Sequence, residues 1–159
     1  MKTMKYKIWI KNTIVDFVFQ NGNAWLPKET GGILLGYRAN NLELVITDII
    51  GPGSRAIHKN TAFEPDQTFH ENEIARLYKE SDHTITYLGD WHTHPNSYPY
   101  LSNQDKSTIK KIALYENARV GNPLMLIAAP PTDKFKIWVY EACHLRKGHV
   151  FYKSDIVTF

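Results

Sequence analysis

Two histidines two residues apart, in Gly89-Asp90-Trp91-His92-Thr93-His94-Pro95, are a place in this 159-residue chain where side chains could do chemistry together. The stretch from Thr84 to His94 reads as a strand. On a strand, residues i and i+2 face the same way, so both imidazoles point to one side while Trp91 and Thr93 point to the other. After a seven-residue stretch (Pro95 to Leu101) come Ser102 and, past two more residues, Asp105. Their spacing of three places them on neighbouring positions of the first turn of a helix. A helix start packed beside the strand end would bring Asp105 to the imidazoles as a third ligand. Two neutral imidazoles and a carboxylate are a common catalytic zinc shell, with bonds of about 2.0–2.2 Å and a fourth tetrahedral position left for water. Such a site lowers a water pKa from about 15.7 to about 7, yet the proton still needs an acceptor and a leaving amine needs a donor. The chemistry therefore asks for a second carboxylate, outside the metal shell.

Glu29 is the candidate. It precedes Gly31-Gly32-Ile33-Leu34-Leu35-Gly36, where paired glycines permit close backbone approach and an apolar run buries a strand, so a carboxylate at its edge is easily aimed into a pocket. On the residues alone, a Glu before a glycine pair reads equally as a solvated turn residue. Ser102-x-x-Asp105 likewise reads as a helix cap, with Ser as N-cap and an acid in the first turn. With 7 histidines in the chain, an H-x-H pair arises by chance about 0.3 times, so it is the combination with Ser and Asp at fixed offsets that carries weight. His58, His70, His83, His144 and His149 have no ligand-like partner at short spacing and read as surface or ordinary hydrogen-bonded residues. Tyr98, Pro99 and Tyr100, between the histidines and Ser102, are expected to pack the loop rather than wall a pocket.

The elements that must position these residues follow from periodicity. Tyr6, Ile8 and Ile10 alternate along a first strand over 5–11, and a helix capped by Asn12 or Thr13 runs to about Asn21, with Gly22 as its stop. Gly31 to Arg38 and Leu42 to Ile50 form a hairpin about Asn40-Asn41. After Gly51-Pro52-Gly53-Ser54 comes a short extended piece near Ala56 to Phe63. Pro65 then starts a helix to about Ser81 with Phe69, Ile74, Leu77 and Tyr78 inward. The strand Thr84 to His94 is followed by a helix from Ser102 to about Asn117, and Leu124 to Ala129, Phe135 to Ala142 and Val150 to Lys153 are further strands. The fold class is α/β, a central mixed β-sheet flanked by helices, and one domain over residues 1–159 is expected because no linker, repeat or low-complexity stretch divides the chain.

Composition excludes several classes. A single cysteine, Cys143, rules out a thiolate-rich zinc site and an internal disulfide, and is expected to pack as a small apolar residue in a strand. The formal net charge is only +3, and the basic residues are scattered, with Lys110-Lys111 and Arg146-Lys147 the adjacent pairs, so no nucleic-acid partner is expected. No apolar run approaches 18 residues and the N-terminal segment lacks the apolar core of a secretion signal, so no membrane partner and a cytoplasmic location are expected.

The pattern Glu29, His92-Thr93-His94-Pro95, Ser102 and Asp105 resembles in full the JAMM motif of the JAB1/MPN/Mov34 metallopeptidases. The words ETGGILLG and LGDWHTHP look like its prokaryotic JAB branch. The resemblance covers about residues 25–130. It implies a cytidine-deaminase-like MPN core and hydrolysis of an isopeptide or peptide bond after the C-terminal residue of a ubiquitin-like or conjugated protein tail. By position, it makes Glu29 the general acid/base, makes His92, His94 and Asp105 the ligands of one Zn²⁺, and gives Ser102 a part in stabilising the oxyanion. The long insertions with which eukaryotic members grip ubiquitin have no room here. A domain of this size further resembles the JAB peptidases of antiphage operons, including the cyclic-oligonucleotide (CBASS) systems. There the conjugated protein is a cGAS/DncV-like nucleotidyltransferase, joined through its C-terminus to a lysine or fused to a peptide. Two alternatives stay open: a non-catalytic MPN scaffold that binds a partner, and a small-molecule zinc amidohydrolase or deaminase.

Overall fold

The computed structural model describes residues 5–143 and 148–159. The readings of His144, of the Arg146-Lys147 pair and of the Cys143 side chain lie outside the described residues. An eight-stranded sheet is built from β1 (Lys7–Ile10), β2 (Gly31–Asn40), β3 (Glu43–Ile50), β6 (Thr86–Thr93), β7 (Leu124–Ala128), β8 (Phe135–Cys143), β9 (Gly148–Lys153) and β10 (Asp155–Thr158). Its order is β10-β1-β3-β2-β6-β7-β8-β9. β1 pairs parallel with β10 and β3, and β6 pairs parallel with β7; the other neighbours are antiparallel, so the sheet is mixed as expected. The two-residue strands β4 (Ile57–His58) and β5 (Phe63–Glu64) make a separate small hairpin.

Period-two alternation decides which helix covers which face. Ile8, Ile10, Leu34, Leu44, Trp91 and Leu126 bury one face with Ile14 and Val18 of α1 (Asn12–Trp25). The opposite face packs in two smaller groups. Met125, Ile127 and Tyr140 meet Ile109 of α3 (Asn103–Leu114), and Ile33, Leu35 and Ile50 meet Ile74 and Leu77 of α2 (Gln67–Glu80). His92 lies beside Gly31 and Ile127, and Asp90 beside Ile33 and Met125, so both belong to the α2/α3 face.

Several local expectations are corrected. Gly22 does not stop α1; it is buried inside the helix, where an added Cβ would come 3.0 Å from Pro130 and 3.1 Å from Thr93, so its missing side chain serves packing. The cap of α2 is Asp66, whose carboxylate accepts the Phe69 N–H, and Pro65 lies outside the helix. Phe69 and Tyr78 are exposed rather than inward, and the fully buried residue of α2 is His70. α3 ends at Leu114, followed by a 3₁₀ turn over Glu116–Ala118, and the edge strand β10 was not anticipated.

Candidate metal centre

β6 ends at Thr93, with His94 held just beyond it by its N–H on the Ala128 carbonyl (2.8 Å). The Nε2 atoms of His92 and His94 lie 3.1 Å apart. Asp105 places Oδ1 3.1 Å from His92 Nε2 and Oδ2 3.3 Å from His94 Nε2. Four ligands at about 2.0–2.1 Å from a tetrahedral ion stand about 3.3 Å from one another, and the two Nε2 atoms, and each Nε2 with its nearer Asp105 oxygen, are already about that far apart. Two imidazole lone pairs and a carboxylate do not converge this closely in a partly buried site without a cation or a proton among them. The trio thus fits a metal ion, and the chemistry of its donors fits the borderline-soft divalent metals.

Two members of the trio, His94 and Asp105, are held from behind. His94 Nδ1 donates to the Tyr98 carbonyl (3.1 Å), which leaves the Nε2 lone pair facing the trio. Asp105 Oδ2 accepts the Ser102 N–H (2.9 Å) and Ser102 Oγ accepts the Asp105 N–H (3.1 Å), a full capping box at the start of α3. The cap reading is met, and the capped Asp105 is the residue that joins the two histidines in the trio. Ser102 also lines the cavity beside the trio.

Glu29 lines the same cavity, of about 470 Å³, without belonging to the trio. Its backbone is clamped on two sides: its N–H donates to the Lys59 carbonyl (2.8 Å) and its carbonyl lies 2.9 Å from His58 Nδ1. His58 is itself stacked on Trp25, with ring centroids 3.4 Å apart. Next along the chain, buried Thr30 pairs both backbone groups with Thr93. The paired glycines do what the sequence suggested: a Cβ on Gly31 would sit 2.5 Å from the Trp91 carbonyl oxygen, and one on Gly32 2.0 Å from that of Ile50. Tyr98 does not pack the loop as expected. Its side chain is exposed and its carbonyl serves His94, while Tyr100 leans on the His94 ring and lines the cavity. The support from Lys59 and Tyr98 came without a sequence signal, since both work through backbone carbonyls, whereas His58 acts through its imidazole Nδ1 on the Glu29 carbonyl. His58, His70 and His149 are otherwise ordinary hydrogen-bonded residues, as read from the sequence.

Burial pushes the Glu29 carboxyl up; the two imidazoles offset part of that and Asp105 adds to it. Burial would also raise Asp105, but hydrogen bonds from His92, His94 and Ser102 hold it well below the usual carboxylate range. Burial would lower His94, and Asp105 and the Tyr98 carbonyl overcome it and raise the imidazole. In metal-free protein these last two shifts set a stability window. The Asp105 contribution is complete above about pH 3.9 and is lost as pH falls through its depressed folded value. The His94 contribution is complete below about pH 6.5 and is lost as pH rises through its elevated one. Metal-free protein should therefore lose stability as pH rises above about 6.5. Zinc should reverse that limb, because metal binding needs unprotonated imidazoles. Melting temperatures with chelator and with zinc from pH 5 to 8 check this; a chelated protein whose melting temperature climbs over that range contradicts it.

Comparison with known proteins agrees with the geometry. Residues 14–140 match the family described as prokaryotic homologs of the JAB domain, and the chain belongs to that family, an enzyme of the JAMM metallopeptidase class. Over 121 residues it is 36% identical to the probable metalloprotease y4qB of Sinorhizobium fredii, covering 76% of this chain and 74% of that protein. It is 34% identical over 112 residues to a CD-NTase/cGAS isopeptidase of Escherichia coli, covering 70% of this chain and 65% of that one. A CD-NTase/cGAS isopeptidase of Vibrio cholerae is 33% identical over 86 residues, 54% of each chain. The solved structure of a protein from Desulfitobacterium hafniense shares the fold at a TM-score of 0.68 and 16% identity, over 96% of this chain and 92% of that one. No helix among the described residues is long and apolar enough to cross a membrane.

Proposed function

We propose that residues 1–159 act as a single zinc-dependent isopeptidase domain in the cytoplasm, cleaving the amide that joins the C-terminal residue of a protein tail to a lysine or to a following peptide. The conjugated protein is a cGAS/DncV-like nucleotidyltransferase, and removing it reverses a conjugation used in antiphage defence. The observation that carries the chemistry is the trio of His92, His94 and Asp105, in mutual contact at 3.1–3.3 Å, in a cavity that also holds a carboxylate left free of them. The likeness to two CD-NTase/cGAS isopeptidases supports the substrate.

His92, His94 and Asp105 hold the Zn²⁺, one per chain. When bound, the ion supplies Lewis acidity, lowering a water pKa to about 7 and polarising the scissile carbonyl. Glu29, with its carboxyl raised by burial, takes the proton of the attacking water and returns it to the nitrogen of the departing amine. The Ser102 hydroxyl donates to the oxyanion that develops on the carbonyl. Ser102→Ala should keep the metal and slow turnover by about 10²–10³, with about 1 kcal/mol of stability lost with the cap. Elemental analysis beside single-turnover rates checks this, and an unchanged rate would leave Ser102 a cap alone.

The substrate is tested with a small reporter protein fused to the C-terminal tail of a CD-NTase, and with the same tail linked to a lysine side chain. Cleavage after the last tail residue, abolished by a chelator and restored by zinc, is expected. Turnover of free amides or nucleosides with no cleavage of either tail would point instead to a small-molecule amidohydrolase. Tight tail binding with neither zinc nor cleavage would point to a scaffold.

A further inference from the structure

Glu29 stands outside the helices and strands, after the end of α1 and two residues before β2 begins. In such a place the direction of a side chain is set by the two peptide planes that flank its Cα, because each plane is rigid. The plane before Glu29 is held through its N–H, which donates to the Lys59 carbonyl at 2.8 Å. The plane after it is held at both ends. The Glu29 carbonyl lies 2.9 Å from His58 Nδ1, and the Thr30 N–H donates to Thr93 Oγ1 at 3.1 Å. Two consecutive residues of the β4–β5 hairpin therefore grip both backbone groups of the one residue whose carboxyl must be aimed.

The His58 ring is itself fixed for that grip. A carbonyl oxygen can only accept, so Nδ1 carries the hydrogen. The ring lies flat on Trp25, the last residue of α1, with 8° between the two planes, and it also meets Phe63 at a centroid distance of 5.3 Å. His58 and Phe63 are cross-strand partners, and the Lys59 N–H on the Ala62 carbonyl (2.9 Å) closes the turn between them. Phe63 in turn lies against the start of β2, where a Cβ added to Gly31 would come 2.9 Å from its ring. These contacts tie the imidazole to α1 on one side and to the hairpin on the other, so Nδ1 is kept facing the Glu29 carbonyl. Phe63 and Glu29 line the metal-site cavity, whereas His58 is not among its lining residues. His58 therefore reaches the chemistry only through Glu29.

We propose that His58 is a positioning residue: its Nδ1–H fixes the peptide plane after Glu29 and so aims the carboxyl into the cavity beside the trio. The inference rests on the reading of Glu29 given above, and its test separates the two. His58→Phe keeps a flat ring for Trp25 and removes the donor, while His58→Asn keeps an N–H at the same bond distance from the backbone and removes the ring. With a lysine-linked CD-NTase tail, His58→Phe should lower kcat about tenfold, less than the ~100-fold of removing the carboxylate, because Lys59 and Thr93 still hold their parts of the two planes. Zinc content and the Kd for the tail, read by fluorescence anisotropy, should stay at wild-type values, and His58→Asn should recover most of the lost rate. Amide hydrogen exchange at Glu29 should quicken in His58→Phe, a readout independent of cleavage. Adding His58→Phe to Glu29→Ala should slow cleavage no further, since nothing is left to aim, whereas a general loss of structure would slow both backgrounds alike. Wild-type kcat in His58→Phe overturns the inference, as does an equal loss in both backgrounds or a loss that His58→Asn does not relieve; each of these leaves the isopeptidase reading standing. Cleavage by Glu29→Ala near the wild-type rate, or no cleavage of any tail by the wild type, removes both.

Discussion

Glu29→Ala should fold, bind about one zinc per chain, retain its substrate tail, and cleave at least about 100-fold more slowly than wild type. Metal and tail should survive because the carboxylate is no part of the trio and its placement depends on backbone groups: the N–H on Lys59, the carbonyl on His58, and the neighbouring Thr30 on Thr93. An alanine keeps all of these. Chemistry should stop because a metal that acidifies water does not remove its proton. A lysine amine, with a free pKa near 10.4, is also a poor leaving group until it is protonated. The partly buried setting that raises the Glu29 carboxyl suits it to both transfers. A reporter-tail fusion assayed with equal concentrations of wild type, Glu29→Ala and chelated wild type checks this. Cleavage by Glu29→Ala within about tenfold of wild type would mean that another carboxylate does the work.

Asp105→Ala is expected to act at the other half of the site, losing zinc and activity together. Two imidazoles alone bind the ion far less tightly than three ligands, so affinity should fall by more than the ~100-fold typical of losing a supporting partner. Folding should persist, since Ser102 Oγ still accepts the backbone N–H of position 105 and only the reciprocal bond from Ser102 N is lost. Elemental analysis after dialysis separates the outcomes. Undiminished zinc in Asp105→Ala would remove the residue from the ligand set.

The features readable in the sequence were those set by short-range geometry. The i, i+2 histidines at a strand end, the three-residue step from Ser102 to Asp105 at a helix start, and the glycine pair under Trp91 and Ile50 each follow from spacing alone. What escaped was set by contacts distant in the chain. Gly22 looks like a helix stop until Thr93 and Pro130 are found against it. β10 becomes a strand by pairing with β1, at the far end of the sequence. Phe69 and Tyr78 sit at helical spacing with Ile74 and Leu77, yet Ile74 and Leu77 pack against the sheet while the two aromatics stay exposed. The carbonyls of Lys59 and Tyr98, which hold Glu29 and His94, carry no residue-type signal.

The most direct test of a one-metal isopeptidase titrates zinc into chelator-stripped protein while cleavage of the lysine-linked tail is followed in the same sample. Activity should rise in proportion to bound zinc and level off at one ion per chain. Full cleavage by the stripped protein, or zinc bound to one per chain with no cleavage of any tail, would contradict the account.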